Sequence, residues 1–297
     1  MRSGIVKRRR IGFLSVLVMI SSVLGGSAFG EEAKELRVCA DPDNLPFSNQ
    51  QGEGFENKIA ALISKDLGAT LTYYWWPHQR GLVRNTLRSG NCDVLIGIPK
   101  GFDPVLWTKP YYRTAYVVAY PKSKGFKVRS LDDAILKQVK IGVYLNTPPY
   151  DALGERGIIE NVVGYSLFYD YGGADQTRRP GRLIEDLFAG TIDVAIVWGP
   201  MAGYFGKRPN APALELVPLQ NNGPIPMTFE ISMGVRKGEK ELKTRLEEAI
   251  DRRQAEITKV LEDYGVPLLA RDGATSPGKE PLPAERRDPP GTHRGHE

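Results

Sequence analysis

Leu87-Arg88-Ser89-Gly90-Asn91-Cys92-Asp93-Val94-Leu95-Ile96-Gly97-Ile98-Pro99 and Leu187-Phe188-Ala189-Gly190-Thr191-Ile192-Asp193-Val194-Ala195-Ile196-Val197-Trp198-Gly199-Pro200 carry one pattern twice, one hundred residues apart. In each, an apolar helix face ends at a glycine, an aspartate follows, and then comes an apolar run the length of one buried strand. Upstream of the first copy, Leu36–Ala40 reads as a buried strand. Phe55, Ile59, Leu62, Ile63 and Leu67 then mark one face of a helix that stops at Gly68, and Leu71–Trp76 reads as a second strand. Leu82, Val83, Thr86 and Leu87 form the helix stripe that leads into the third strand. Strands alternating with helices of this length predict βαβ units and a parallel sheet.

A second correspondence keeps the same order. Asn44-Leu45-Pro46-Phe47 after the first strand is echoed by Asn146-Thr147-Pro148-Pro149-Tyr150 after Val139–Tyr144. The period is too long for a solenoid, so the chain reads as two lobes of related build. Tyr116–Tyr120 reads as a strand leaving the first lobe, and Phe229–Val235 as one returning to it after the polar passage Pro218–Pro226. Leu242–Leu261 follows as a long charged amphipathic helix. The expected architecture is α/β and two-lobed, with two crossover segments joining the lobes. Lobe 1 is discontinuous, at 31–124 and 218–269, and lobe 2 occupies 125–217. From 270 to 297 the chain is Pro, Gly and balanced charge with almost no apolar residue, and is expected to be a disordered tail.

The 297 residues include 40 Lys and Arg against 35 Asp and Glu. That excess sits in the first thirty residues, where Arg2, Lys7, Arg8, Arg9 and Arg10 face no acid. The rest is 35 against 35, without the positive surplus that displaces counterions from nucleic acid. Residues 1–30 read as a secretory signal peptide: a basic start, the apolar stretch Ile11–Leu24, and small residues at Ala28 and Gly30 before Glu31. The stretch is shorter than the ~20 residues that span a bilayer, so the expectation is cleavage, a periplasmic location and no stable membrane insertion. Export favours a bridge between the only two cysteines, Cys39 and Cys92, over two separate buried thiols.

In an open α/β fold the ligand site lies beyond the carboxyl ends of the strands. That rule nominates Asp41, Asn44 and Phe47 after the first strand, Trp76 and Arg80 after the second, Lys100 after the third, and Thr147 and Trp198 in the second lobe. Phe55 and Glu56, at the entry to the first helix, join the same set. Asp41-Pro42-Asp43-Asn44 lacks calcium-loop spacing and reads as a turn, so no metal site is expected. No G-x-S-x-G, H-E-x-x-H, Walker loop or strand-following G-x-G-x-x-G occurs, and two of the three histidines lie in the tail, so neither catalysis nor a cofactor is expected.

The order of Gly54-Phe55-Glu56-Asn57, Leu87 to Asp93, and Pro110-Tyr111-Tyr112 resembles the type II periplasmic solute-binding proteins over residues 36–268. Two departures stand out. The family's amino-acid receptors clamp the ligand carboxylate with an Arg after the third strand. Here Gly97-Ile98-Pro99-Lys100-Gly101-Phe102-Asp103-Pro104 has none, and Asp193–Val197 runs into Trp198-Gly199-Pro200 without the Asp that holds an ammonium. Longer stretches are similar to the subfamily associated with quinoprotein dehydrogenases, the "J" proteins of methanol dehydrogenase operons. These are Leu36–Pro42, Asn44–Asn49, Gly54–Ala60, Trp75-Trp76-Pro77, Arg80–Leu87 and Cys92-Asp93-Val94.

That resemblance implies neighbouring first and third strands, which brings the two sulfurs within range. It also implies an accessory protein that assists assembly or activation of a PQQ-dependent methanol dehydrogenase beside its cytochrome c. The alternatives are an importer receptor for a non-amino-acid ligand and a dehydratase-like enzyme on the same fold. The missing clamps predict a groove lined by Phe47, Phe55, Trp76 and Trp198, with Arg80 and Lys100 as cations.

Overall fold

The computed structural model describes residues 34–167, 179–221 and 223–270; the leader expected over 1–30 and the tail after Ala270 lie outside the described residues. The chain opens with β1 (Glu35–Ala40), a small hairpin of β2 (Asp43–Asn44) and β3 (Ser48–Asn49), α1 (Phe55–Asp66) and β4 (Thr70–Trp75). One-turn α2 (Leu82–Asn85), β5 (Val94–Pro99), short β6 (Leu106–Trp107) and long β7 (Tyr112–Pro121) follow. The pattern then repeats as β8 (Ile141–Tyr144), α3 (Pro148–Glu155), β9 (Val162–Tyr165), α4 (Arg182–Phe188) and β10 (Val194–Trp198). Helix α5 (Gly199–Gly206), β11 (Leu214–Pro218), β12 (Thr228–Val235) and α6 (Lys240–Asp263) complete the described chain.

The strand order is β4-β1-β5-β12-β7-β10-β8-β9, with β11 on β7 and β6 on β12. Read from either end, three parallel strands meet an antiparallel one: β4, β1 and β5 against β12, and β9, β8 and β10 against β7. The hundred-residue repeat is therefore a repeat of structure, with β5 and β10 in equivalent places. The aspartates that open both copies have equivalent jobs. Asp93 accepts from Arg37 at 2.6 Å and Arg236 at 3.0 Å; Asp193 accepts from Lys124 at 2.8 Å and from the Lys140 backbone at 3.0 Å. Both tie the start of a strand to its neighbours and face away from any ligand role.

The parallel pairing expected from the βαβ pattern holds within each half, and the antiparallel β7 and β12 make the whole sheet mixed. Apolar runs covered on both faces look alike in either direction, and only the route of the return strand fixes the sense of β12. The stripe through Leu87 also gives one helical turn rather than a full helix, because α2 ends at Asn85 and Thr86 caps back through its hydroxyl on Leu82.

Each half-sheet is covered on both faces. In the first, Phe55, Ile59 and Ile63 of α1 and Leu246, Ile250 and Ile257 of α6 pack on Val38, Val94 and Met233. Cys39, Leu87, Cys92 and Leu95 fill the opposite side. In the second, Leu153 packs with Val143 and Ile196, while Leu183, Leu187 and Phe205 pack with Val117 and Val197. Strand β7 serves both halves, pairing with β12 through Tyr112–Ala115 and with β10 through Tyr116–Ala119. The buried pair Cys39 and Cys92 is a disulfide with Cα atoms 5.4 Å apart, between adjacent β1 and the residues leading into β5. No helix among the described residues is long and apolar enough to cross a membrane.

Candidate functional site

The loop after β1 is built to present side chains at the start of α1. The first N–H groups of a helix lack partners within it. Here the N–H groups of Phe55 and Glu56 donate to the carbonyls of Pro46 at 2.8 Å and Phe47 at 2.9 Å. Asn57 Oδ1 accepts from the backbone of Gly54 and of Asn49, both at 3.1 Å, and closes the loop on the helix. The approach is so tight that a Cβ on Gly54 would lie 2.0 Å from the Phe47 carbonyl oxygen. The consequence is a fixed Phe47 and a Glu56 carried inward, with its carboxyl against Gly97.

These groups face a cavity of about 430 Å³ at the carboxyl ends of β1, β5 and β10. Asn44, Phe47, Glu56, His78, Gly97, Pro99, Phe229 and Ile231 come to it from the first half of the repeat, and Leu167, Trp198 and Met201 from the second, with Tyr116 on the shared strand β7. Tyr116, Trp198 and Phe229 pack edge to face, with centroids 5.0, 5.5 and 6.2 Å apart, and form an aromatic wall. A second hollow, of about 420 Å³, lies between α5 and the end of α6. Its rim mixes Glu53, Lys207, Arg208 and Asp263, whereas the first cavity joins both halves of the repeat, and we place the candidate site there.

The expected site residues divide. Asn44, Phe47, Glu56 and Trp198 come together on the cavity. Phe55 is fully buried behind it, its ring 5.3 Å from Phe47 in an edge-to-face contact. Asp41 is fully buried: its Oδ2 accepts the His78 N–H at 2.6 Å and its Oδ1 the Asp43 N–H at 3.0 Å. Trp76 is half-buried, outside the lining, with its Nε1 lacking a partner among the described residues. Arg80 is exposed and away from the lining. Lys100 turns from the cavity to pair with Glu230 at 2.7 Å. Thr147 is buried ahead of α3 and donates to the Tyr144 carbonyl at 2.6 Å.

Tyr116 and Phe229 were not reached by the strand-end rule because they sit within strands that cross between the halves. Their signal is aromatic residues flanking the polar returns.

Electrically the cavity is unusual. Among the described residues no Lys or Arg lines it. Burial pushes the Glu56 carboxyl up to about 8, and the nearby Asp41 charge pushes the same way. Burial holds His78 below the usual imidazole range, partly offset by Asp41, and raises the Tyr116 hydroxyl to about 12. At neutral pH the floor is thus a protonated carboxyl and a neutral imidazole, 3.4 Å from the Asn44 amide through Nδ1. Such a floor can donate and accept hydrogen bonds but offers no cation to an anion. Among the described residues no group of three or more His, Cys, Asp and Glu is placed to hold a metal ion.

The family described as bacterial extracellular solute-binding proteins, family 3, matches residues 36–266. The curated protein MoxJ of Methylorubrum extorquens AM1 is 31% identical over 250 residues, which are 80% of this chain and 83% of that protein. The crystal structure of the periplasmic binding protein XoxJ from Methylobacterium extorquens AM1 is 41% identical, with a TM-score of 0.67, covering 80% of this chain and 100% of that one. The structure of MxaJ from Methlophaga aminisulfidivorans MPT is 29% identical, with a TM-score of 0.70, covering 79% and 100%.

Proposed function

The chain belongs to the bacterial extracellular solute-binding proteins of family 3, and from that premise we propose that it is a periplasmic accessory factor assisting assembly or activation of a PQQ-dependent methanol dehydrogenase. Its similarity to MoxJ, XoxJ and MxaJ over four-fifths of its length supports the reading. The observation that carries it is the cavity itself, where no Lys or Arg among the described residues stands ready to clamp a carboxylate. A receptor closes only when its ligand favours the closed state, and among the described residues a zwitterion finds no paired clamps.

Two measurements test the reading. The tagged protein, purified from its own periplasm, is expected to bring the dehydrogenase with it, and a deletion strain is expected to lose methanol-dependent dehydrogenase activity. No complex together with unchanged activity would reject the proposal. In parallel, none of the common amino acids is expected to raise the melting temperature. A ligand at ~100 times its dissociation constant adds roughly 2.7 kcal/mol, which a melt detects easily. A clear shift with one amino acid would instead favour an importer receptor, the second reading, which the size of the cavity keeps in view.

A further inference from the structure

Among the described residues Glu56 is the one carboxyl on the cavity lining, and it is 7% exposed. Among the described residues its carboxyl has neither a hydrogen bond nor an ion pair. Gly97 makes room for it: with φ at +80°, a Cβ there would lie 1.9 Å from Glu56 Oε1. A buried acid without a partner is costly, and the missing partner is supplied most directly by a cation. Several features converge on the sign of that partner. Asp41 is near enough to Glu56 to add its negative charge, and among the described residues no Lys or Arg competes on the lining. On the same cavity Tyr116, Trp198 and Phe229 present aromatic rings, which attract organic cations.

We propose that the cavity binds an alkylammonium group, with the nitrogen at Glu56, the carbon body on the aromatic wall, and no carboxylate required. The inference goes beyond the dehydrogenase reading and is measured separately, since it concerns what enters the cavity of the isolated protein. The same ammonium chemistry is available from a free organic amine or from the lysine side chain of a partner protein.

Binding should be linked to pH through Glu56. The groups facing it are Asp41, Tyr73 from β4, and Tyr111 and Tyr112 at β7, with His78 on the same lining. Burial raises all three tyrosines, which stay neutral through the working range, and His78 is held neutral from about pH 6.5 upward. A cation that needs ionised Glu56 displaces its proton. The association constant should therefore rise roughly fiftyfold between pH 6 and pH 8 and level off above.

The experiment is calorimetric titration of the purified secreted protein with benzyltrimethylammonium, Nα-acetyl-lysine methylamide, benzyl alcohol and benzoate. At pH 8 at least one cation should bind tenfold or more tighter than benzyl alcohol, and benzoate should not bind. The tighter of the two cations assigns the source, free amine or lysine. Glu56→Gln should lose at least tenfold for the cation, with its melt checked for intact folding. The pH profile of the unaltered protein gives a readout that needs no variant. Absence of binding by both cations, equal or tighter binding of benzyl alcohol, or a cation affinity that ignores both pH and Glu56→Gln would overturn the proposal.

Discussion

Replacing both Cys39 and Cys92 by alanine should lower the stability of the folded protein by roughly 4 kcal/mol. The two residues are 53 positions apart in the chain. In the chain-entropy account, a cross-link closing a loop of that length removes about that much freedom from the unfolded state. At ~2–4 °C per kcal/mol for a chain of this size, the melting temperature should fall by roughly 8–16 °C. Both side chains are buried beside Leu87, Leu95, Ile98 and Val105, so alanine also leaves small voids, which act in the same direction. Reductant should have little effect on the native protein, where the bridge is buried, and a large one once unfolding begins. A shift under ~3 °C in the double variant would mean that the bridge constrains nothing the fold does not already hold. Free thiols in peptides from unreduced periplasmic material would remove the bridge itself.

The bridge also shows how much of the fold the sequence makes legible. Two cysteines in an exported chain offer one pairing, and the repeat around Gly90-Asn91-Cys92-Asp93 placed the second one at a strand entry. The repeat was readable because helix stop, aspartate and apolar run are local features, and each copy needs all three to turn from helix into strand. The antiparallel sense of β12 and of β7 was not readable. A strand buried on both faces carries the same pattern whichever way it runs, so direction is set by the return route through residues far apart in sequence.

Side-chain destinations divided along the same line. Phe47, in the tight turn after β2, and Trp198, at the end of β10, reach the cavity from positions the pattern fixes. Arg80 and Lys100 stand at similar strand ends but have long side chains, and solvent or Glu230 offers them a better setting than an aromatic cavity. Glu56 is nominated by its place at the entry to the first helix, but the helix dipole alone explains an acid there, and its burial is not encoded locally. Its burial depends on Gly97 lacking a Cβ, a contact between residues forty-one positions apart that no local pattern encodes.

That buried carboxyl sets the second large effect, a loss of stability with rising pH that depends on Glu56 alone. In the folded protein Glu56 holds its proton up to about pH 8, whereas an unfolded glutamate releases it near ~4.3. The folded state therefore binds the proton more tightly. The stabilisation this gives is fully present below the unfolded value, declines by about 1.4 kcal/mol per pH unit above it, and is gone once pH passes the folded value. Over the whole window the change is on the order of 5 kcal/mol. His78 acts in the opposite sense: burial lowers its proton affinity on folding, so its contribution is lost as pH falls below ~6.5. The two slopes overlap in acid and separate between pH 6.5 and 8, where Glu56 acts without His78.

Urea unfolding of the unaltered protein should lose roughly 2 kcal/mol across that interval. Glu56→Gln, which keeps the shape and cannot ionise, should be nearly flat there. The two curves should converge or cross as pH rises, because the variant escapes the cost of a buried charge that the native residue meets. Parallel curves would mean that Glu56 is already ionised in the folded protein at neutral pH. The cavity would then hold a standing negative charge, and its preference for an ammonium would no longer weaken toward acid pH. Convergent curves, by contrast, would make Glu56 a group whose charge the fold tolerates only when something positive comes to meet it.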